Sequence, residues 1–243
     1  MARGAGADCA GRCAAADLAP GTRKPRELLL NIGGASLAGD LAIPADPHGL
    51  VMFAHGSGSS RLSPRNRAVA ATLNEAGLAT LLFDLLAAQE GRRRELVFDI
   101  PLLAQRLEHV TRWALEDPAT AELPVGYFGA STGAAAALRA AAAAGDVVGA
   151  VVSRGGRPDL AADRLPYVNA ATLLLVGDRD PEVLALNRSA AEMLHCPHRL
   201  TVVKGASHLF EEPGTLETVA RLAADWFNTY LTAAAQQLAA TEG

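Results

Sequence analysis

Short runs of apolar residues recur along the chain and indicate the strands of a sheet. Six of them lack the alternation of a half-exposed strand, namely GLVMFAHG, GLATLLFD, LPVGYFGA, DVVGAVVS, ATLLLVGD and RLTVVKGA. Continuous apolar runs of this length are typical of strands that are buried on both faces. The pattern therefore predicts six parallel strands.

An antiparallel pair is predicted before these six strands. The runs ELLLNI and SLAGDLAIP flank the dipeptide Gly33-Gly34, which suits the positive φ angles of a tight hairpin turn. The sheet is thus expected to have eight strands and to open with a hairpin.

Longer segments with helical patterning separate the predicted parallel strands: Pro64 to Ala76, Asp99 to Leu115, Glu182 to Leu194 and Thr215 to Tyr230. Each is long enough for a right-handed crossover between parallel strands. The fold class predicted is α/β, a doubly wound and mostly parallel eight-stranded sheet. Because the interval from Ser153 to Ala170 is short, no large cap domain is expected.

The length of 243 residues and the hydrophobic share of 50% are typical of one α/β domain, which we place at residues 26–232. Residues 1–25 are expected to be a disordered tail, and residues 233–243 a C-terminal tail. The first tail lacks the leucine-type stretch of a signal peptide. We therefore expect a cytoplasmic protein.

Composition restricts the partners. A formal net charge of −4 gives no bias towards nucleic acid or anionic membranes, and the arginines of GRRREL lack interleaved aromatic residues. Cys9 and Cys13 have no second cysteine or histidine pair nearby, and Cys196 stands alone, so neither a zinc site nor a disulfide framework is predicted. A small-molecule partner is expected, with no metal or cofactor, while homo-oligomerisation is left open.

Ligands of doubly wound sheets bind beyond the carboxyl ends of the strands, so the residues that follow each apolar run are the candidates for function. Ser131 follows one such run, within FGASTG, and precedes an alanine-rich helical segment. Gly129 and Gly133 remove side chains where strand, turn and helix crowd together, as in a G-x-S-x-G nucleophile elbow. The alternative is a serine that caps a helix beside packing glycines.

A serine nucleophile needs a base, usually a histidine. His208 lies between the last predicted strand and the last helix, at the same sheet edge as Ser131. His195 and His198 lie near a strand start, at the opposite edge. His208 is therefore the candidate base, and the alternative is a loop histidine with local hydrogen bonds.

A carboxylate that orients the histidine is expected after the penultimate strand, where the segment VGDRDPEV offers Asp178 and Asp180. We favour Asp180, just before Pro181, because the turn can carry it outward while Asp178 bonds to the turn itself. The order Ser131, Asp180, His208 is that of α/β-hydrolases.

The loop in FAHGSGSS follows the first predicted parallel strand, and its small residues let backbone N–H groups approach a ligand. We assign the donors of an oxyanion hole to the N–H groups of Ser57 and Thr132. The alternative, a phosphate-binding loop, lacks the lysine of G-x-x-x-x-G-K-[ST] and the spacing of G-x-G-x-x-G.

From about Glu27 to Tyr230, the chain resembles the dienelactone-hydrolase-like branch of the α/β-hydrolase superfamily. HGSGSS, FGASTG, VGDRDPEV and GASHLFEEPG occur in the order of that family. The resemblance implies that Ser131 is the nucleophile, Asp180 the acid and His208 the base. Dienelactone hydrolases proper have cysteine at the nucleophile position, so their lactone substrate is not carried over. Serine-bearing relatives are mostly labelled broadly as hydrolases and are sometimes attached to phosphoribosyltransferase domains.

These residues predict a serine hydrolase that cleaves a carboxylic ester or thioester of a small molecule through an acyl-enzyme on Ser131. An acyltransferase would use the same triad, because the acyl acceptor is not written in it. A noncatalytic small-molecule-binding module on the same fold is the third interpretation.

Arginines are frequent after the predicted strands. We expect Arg154, together with Arg61, to bind an anionic part of the substrate, since guanidinium suits carboxylate and phosphate. The alternative is that these arginines face solvent or pair with neighbours. Asp84, at the end of its strand, is expected to pair with one of the arginines at the mouth of the site.

Overall fold

The computed structural model describes the backbone of residues 25–241 and the side chains of residues 25–232. In this part of the chain one sheet has eight strands in the order β1-β2-β4-β3-β5-β6-β7-β8. The strands are β1 (Arg26–Ile32), β2 (Ala35–Ala42), β3 (Leu50–Ala54), β4 (Ala79–Phe83), β5 (Val125–Ala130), β6 (Val148–Arg154), β7 (Ala171–Gly177) and β8 (His198–Val203). The predicted N-terminal tail, residues 1–25, lies outside the described residues except for its last position.

The pairing of strands confirms the predicted sheet. β1 and β2 are antiparallel around the turn at Gly33 and Gly34, whose φ angles are 55° and 78°. β2 is also antiparallel to β4, and every other neighbouring pair is parallel. The fold is therefore the mostly parallel eight-stranded α/β sheet with an antiparallel hairpin.

Six helices connect or flank the strands within residues 25–241. They are α1 (Pro64–Glu75), α2 (Arg94–Val97), α3 (Ile100–Glu116), α4 (Thr132–Ala144), α5 (Pro181–Met193) and α6 (Thr215–Thr241). The backbone of α6 continues through Thr241, past the boundary predicted at residue 232. Between β6 and β7 the chain makes only two short 3₁₀ turns, so no cap domain is present in the described residues.

Local signals explain where two of the helices begin. Ser63 caps α1 by accepting the Asn66 N–H, and Asp99 caps α3 by accepting the Leu102 N–H. Each cap satisfies one of the backbone donors that a helix start leaves without a partner. The predicted starts of these helices agree with the observed ones within one residue.

The helices cover both faces of the sheet. Buried residues of α3, α4 and α5 pack in one hydrophobic cluster, and buried residues of α1 and α6 pack in the other. No helix within residues 25–241 combines the length and hydrophobicity that crossing a bilayer requires.

Helix α4 lies unusually close to the sheet, and this explains its composition. Most of its alanines are fully buried, and a Cβ atom on Gly133 would collide with the carbonyl oxygens of Ala54 and His55. Only small side chains fit where a helix approaches strand backbone so closely. The alanine-rich run is thus a packing requirement of the central layer.

The loop after β3 is fastened by His55. Its Nδ1–H donates to Gly56 O at 3.0 Å, and its Nε2 accepts the Leu85 N–H at 3.1 Å. These two bonds tie the end of β3 to the segment after β4. Burial lowers the pKa of the His55 imidazole below its ordinary value of 6.5, although the bond to Gly56 opposes the shift. The ring is therefore held in the neutral form.

Gly133→Ala should destabilise the fold, because the added methyl meets backbone carbonyls that cannot rotate away. We expect a loss of about 1–3 kcal/mol in the free energy of unfolding, measured by urea denaturation. Gly91→Ala is the matched control, since a Cβ there has no neighbour within 4 Å, and its effect should stay within about 0.5 kcal/mol. Equal effects of the two changes would contradict the close approach of α4.

Stability should decrease as pH falls below 6.5, because the unfolded chain then takes up a proton on His55 that the folded chain does not. Above pH 6.5 the stability that the neutral His55 contributes is fully present. Below pH 6.5 it is lost by at most about 1.4 kcal/mol per pH unit. Urea unfolding between about pH 5.5 and 8 should show a flatter profile for His55→Gln than for wild type. His198→Gln, which removes an exposed imidazole from β8, serves as the control. A profile that His55→Gln leaves unchanged would contradict the assignment.

Candidate active site

Ser131 occupies a sharp turn between β5 and α4. Its backbone angles are φ 51° and ψ −121°, a conformation that non-glycine residues rarely adopt. A Cβ on Gly129 would overlap the backbone of Ala134 on the far side of the turn. The glycines of FGASTG are thus required by the crowding that the sequence pattern predicts, and Ser131 lies at the carboxyl edge of the sheet.

The end of β6 and the segment that follows it hold the backbone of Ser131 through two hydrogen bonds. The Ser131 N–H donates to Arg154 O at 3.2 Å, and Ser131 O accepts the Arg157 N–H at 3.1 Å. Gly156 makes this close approach feasible, because a Cβ there would collide with Ser153 Oγ. Sequence reasoning missed this support, although two consecutive glycines directly after a strand were a usable signal.

His208 and Asp180 form a short hydrogen bond between His208 Nδ1 and Asp180 Oδ2, at 2.6 Å. Asp180 follows β7 and is 15% exposed, while His208 follows β8 and is 39% exposed. Asp178 instead accepts the Gly205 N–H at 2.7 Å, within the adjoining turn. The structure brings together the pair that the sequence analysis favoured, and His208 Nε2 remains available on the other side of the ring.

Ser131 and His208 share a neighbour, Gly155. A Cβ on Gly155 would lie 3.6 Å from His208 Cε1, and the preceding carbonyl is the acceptor of the Ser131 N–H. No hydrogen bond between Ser131 Oγ and His208 is present among the described side chains. In free enzymes such bonds are often long and tighten only when substrate binds. His195 and His198 lie at the amino end of β8, as predicted.

The loop after β3 packs directly on this turn. A Cβ on Gly56 would lie 3.1 Å from Ser131 Cβ, and the Ser57 N–H donates to Thr132 Oγ1 at 2.9 Å. Thr132 begins α4, so its own N–H is one of the donors that a helix start leaves without an intrahelical partner. The Thr132 hydroxyl therefore accepts the Ser57 N–H, one of the two donors predicted for the oxyanion hole. The sequence did not reveal this contact.

A cavity of about 460 Å³ opens beside the loop after β3. The loop serines and Asp84 form its polar side, and Leu86, Val97 and Leu103 line its apolar side. Since Gly56 belongs both to the wall of this cavity and to the contact with Ser131, the cavity adjoins the candidate nucleophile.

The two arginines predicted to bind an anion lie in different surroundings. Arg61 donates to Asp84 at 3.0 Å, and its Nε lies 3.6 Å from Asp40, so its charge is balanced by carboxylates. Asp84 thus has the bracing role expected for it. Arg154 is 8% exposed, and its guanidinium carbon lies 6.0 Å from the centre of the Phe128 ring. Burial, with the charge of Arg65 second, lowers the pKa of Arg154 to about 10, which leaves it protonated at neutral pH.

Sequence comparison relates the chain to proteins of known class. Residues 47–226 match the family described as alpha/beta hydrolase domain. Two Mycobacterium tuberculosis proteins, of strains CDC 1551 and H37Rv, are each 60% identical over 208 residues and bear the name "putative phosphoribosyl transferase". The match covers 86% of this chain and 47% of theirs, so the chain spans about half the length of these relatives.

Solved structures give the same relationship. Dienelactone hydrolase from Anabaena variabilis is 55% identical, with a TM-score of 0.83 over 86% of this chain and 100% of that one. Est1E from Butyrivibrio proteoclasticus shares the fold at 16% identity, with a TM-score of 0.72 over 85% of this chain and 98% of its own. Together with the eight-stranded sheet and the turn at Ser131, these matches show that the chain belongs to the alpha/beta hydrolase family, on its dienelactone-hydrolase-like branch.

Proposed function

We propose that this protein is a serine hydrolase that cleaves carboxylic esters or thioesters of small molecules through an acyl-enzyme on Ser131. The observation that carries the proposal is the 2.6 Å bond between His208 Nδ1 and Asp180, formed at the sheet edge where Ser131 occupies its strained turn. The proposed nucleophile, carboxylate and base follow β5, β7 and β8, and parallel strands bring such residues to the same end of a sheet.

The residue types support the following reaction. Ser131 Oγ attacks the acyl carbonyl while His208 Nε2 takes the hydroxyl proton, and Asp180 stabilises the imidazolium that results. Collapse of the tetrahedral intermediate breaks the ester or thioester bond, and the leaving group receives the proton from His208. Water, deprotonated by His208, then attacks the acyl-enzyme, which releases the carboxylic acid and restores Ser131.

Two backbone donors are proposed for the oxyanion of the intermediate, the N–H groups of Thr132 and Ser57. The Thr132 N–H belongs to the start of α4, where the helix dipole also favours negative charge. The Ser57 N–H has Thr132 Oγ1 as its acceptor in the free protein, and this bond keeps the loop in place beside Ser131. An arriving oxyanion shares or takes over that donor without a movement of the loop.

The cavity beside Gly56 is the proposed site for the acyl group. Its volume of about 460 Å³ lies within the range of small-molecule pockets, and one wall is apolar. A small or medium acyl chain fits such a space. The mechanism calls for no metal or organic cofactor.

An acyltransferase is the second candidate, because the acyl-enzyme can pass its acyl group to an acceptor other than water. Phosphoribosyl transfer is not proposed for this chain. The name belongs to relatives about twice as long as the matched region.

Ser131→Ala should abolish hydrolysis of the preferred substrate in a panel of p-nitrophenyl esters and acyl thioesters of varied chain length. We expect kcat/KM to fall at least about a thousandfold, because the attacking oxygen is lost. Ser189→Ala, an exposed serine of α5, is the control and should retain activity. Hydrolysis that survives in Ser131→Ala would refute the role of Ser131. A wild-type protein that does not hydrolyse the esters but transfers their acyl groups to amines or alcohols would favour the acyltransferase.

The two neighbouring aspartates should differ sharply in their importance. Asp180→Asn removes the charge that orients His208, and kcat should fall by about three to four orders of magnitude. Asp178→Asn changes the charge equally but only alters a bond within a turn, so kcat should change less than about threefold. The comparison uses steady-state kinetics on one substrate, and similar losses in both variants would contradict the assignment of Asp180.

A further inference from the structure

Arg154 is a buried cation without a carboxylate partner. It is 8% exposed, it makes no ion pair with any described carboxylate, and its Nη1 is sealed from solvent without a hydrogen-bond acceptor. Burial of an unpaired charge is unfavourable. The contact with the Phe128 ring, 6.0 Å from the guanidinium carbon, compensates for only part of that cost.

A second arginine adds to the excess of positive charge. Arg65 lies in the first turn of α1, and its charge is the second cause, after burial, of the lowered pKa of Arg154. Arg65 Nε is also buried without a partner, and Arg65 Nη1 pairs with Glu211, a side chain that is 61% exposed. The first turn of α1 contains no acidic residue, and a helix N-terminus is itself positive. Among the described side chains, Glu211 is therefore the one carboxylate within ion-pair distance of either guanidinium, and it is exposed.

The backbone of Arg154 adjoins the proposed catalytic residues. Arg154 is the strand partner of Ala130, and its carbonyl accepts the N–H of Ser131. The next residue, Gly155, packs on Phe210 and His208. The guanidinium of Arg154 is therefore no farther from the turn at Ser131 than one arginine side chain reaches.

Two other arginines near this end of the sheet, Arg61 and Arg67, are paired with carboxylates. Arg61 and Arg67 pair with Asp40, and Arg61 also pairs with Asp84. Those two cations face two anions, so that cluster is balanced. Of these four arginines, only Arg154 has no described carboxylate within ion-pair distance.

We propose that Arg154 and Arg65 bind an anionic group of the substrate, a carboxylate or a phosphate, in an inference that rests on the hydrolase function proposed above. Guanidinium binds both groups through paired N–H donors. The substrate is then an ester or thioester that carries a negative charge near its scissile bond. Glu211 holds Arg65 in the free protein, and the anion replaces it.

Binding is measured first, in Ser131→Ala protein, by calorimetric titration with inorganic phosphate and with glutarate. The two titrations distinguish a phosphate site from a carboxylate site. The expected result is saturable binding of at least one of the two anions. Arg154→Met, which keeps the apolar stem, should weaken that binding about 10- to 100-fold. Arg65→Gln should weaken it in the same direction, and Glu211→Gln should strengthen it.

Arg67→Gln is the matched control, because it removes one positive charge from the same helix at a residue already paired with Asp40. It should leave the affinity within about threefold, as expected for a screened surface charge. If Arg154→Met binds both anions as tightly as the parent, or if neither anion binds the parent protein, the proposal is wrong. A lower Tm in Arg154→Met with unchanged binding would show a purely structural role and would also overturn it.

Hydrolysis provides the second readout. The ratio of kcat/KM for the p-nitrophenyl half-ester of glutarate to kcat/KM for p-nitrophenyl valerate compares an anionic with a neutral acyl chain. Arg154→Met should lower this ratio about 10- to 100-fold, and Arg67→Gln should not. If no ester is cleaved but the anions still bind through Arg154, the hydrolase proposal fails while the anion site stands. If neutral esters are cleaved and neither binding nor the ratio depends on Arg154, the anion site alone fails.

Discussion

Ser131 holds a backbone conformation that an L-residue keeps only when the chain around it fixes the turn. Three segments do so. α4 presses its first residues against the carbonyls at the end of β3, the end of β6 and the segment after it bind both backbone groups of Ser131, and Gly56 packs on the serine from the side. The alanines of α4 and the glycines on either side of Ser131 follow from this crowding. A larger side chain at any of these contacts would move the candidate nucleophile.

The same crowding arranges the polar groups of the edge. His55 locks the loop that carries Ser57, and Thr132 Oγ1 accepts the Ser57 N–H, so the proposed oxyanion donors are fixed before any substrate arrives. Preorganised donors are the kind that stabilise charge developing in a transition state. Asp180 and His208 come from two further loops and meet through a single short bond. The proposed reaction therefore depends on fixed loops at the carboxyl ends of the strands and needs no moving cap.

Charge is distributed unevenly around this centre. On the side of the cavity, Arg61 is neutralised by Asp84 and Asp40, whereas Arg154, beside Phe128, is buried and pairs with no carboxylate of the described side chains. The two arginines were expected to act together on one anion. The structure gives them different surroundings, and the influence of Arg65 on the pKa of Arg154 was not suggested by sequence position alone. In the proposed anion site, the Arg154 cation would distinguish charged from neutral substrates.

The sequence by itself determined the features that depend on local pattern. Continuous apolar runs identified the buried strands, Gly33-Gly34 identified the hairpin, and the glycines around Ser131 identified the sharp turn, since each reflects a constraint among residues near in the chain. Turn chemistry, together with the resemblance to the dienelactone-hydrolase-like branch, also favoured Asp180 over Asp178. Only the tertiary structure decided that Thr132 Oγ1 engages Ser57, that Arg157 braces Ser131, and that Arg61 is neutralised while Arg154 is not. Those contacts join residues from different strands and loops, and no period or spacing in the sequence records which of many charged side chains will meet once the sheet has formed.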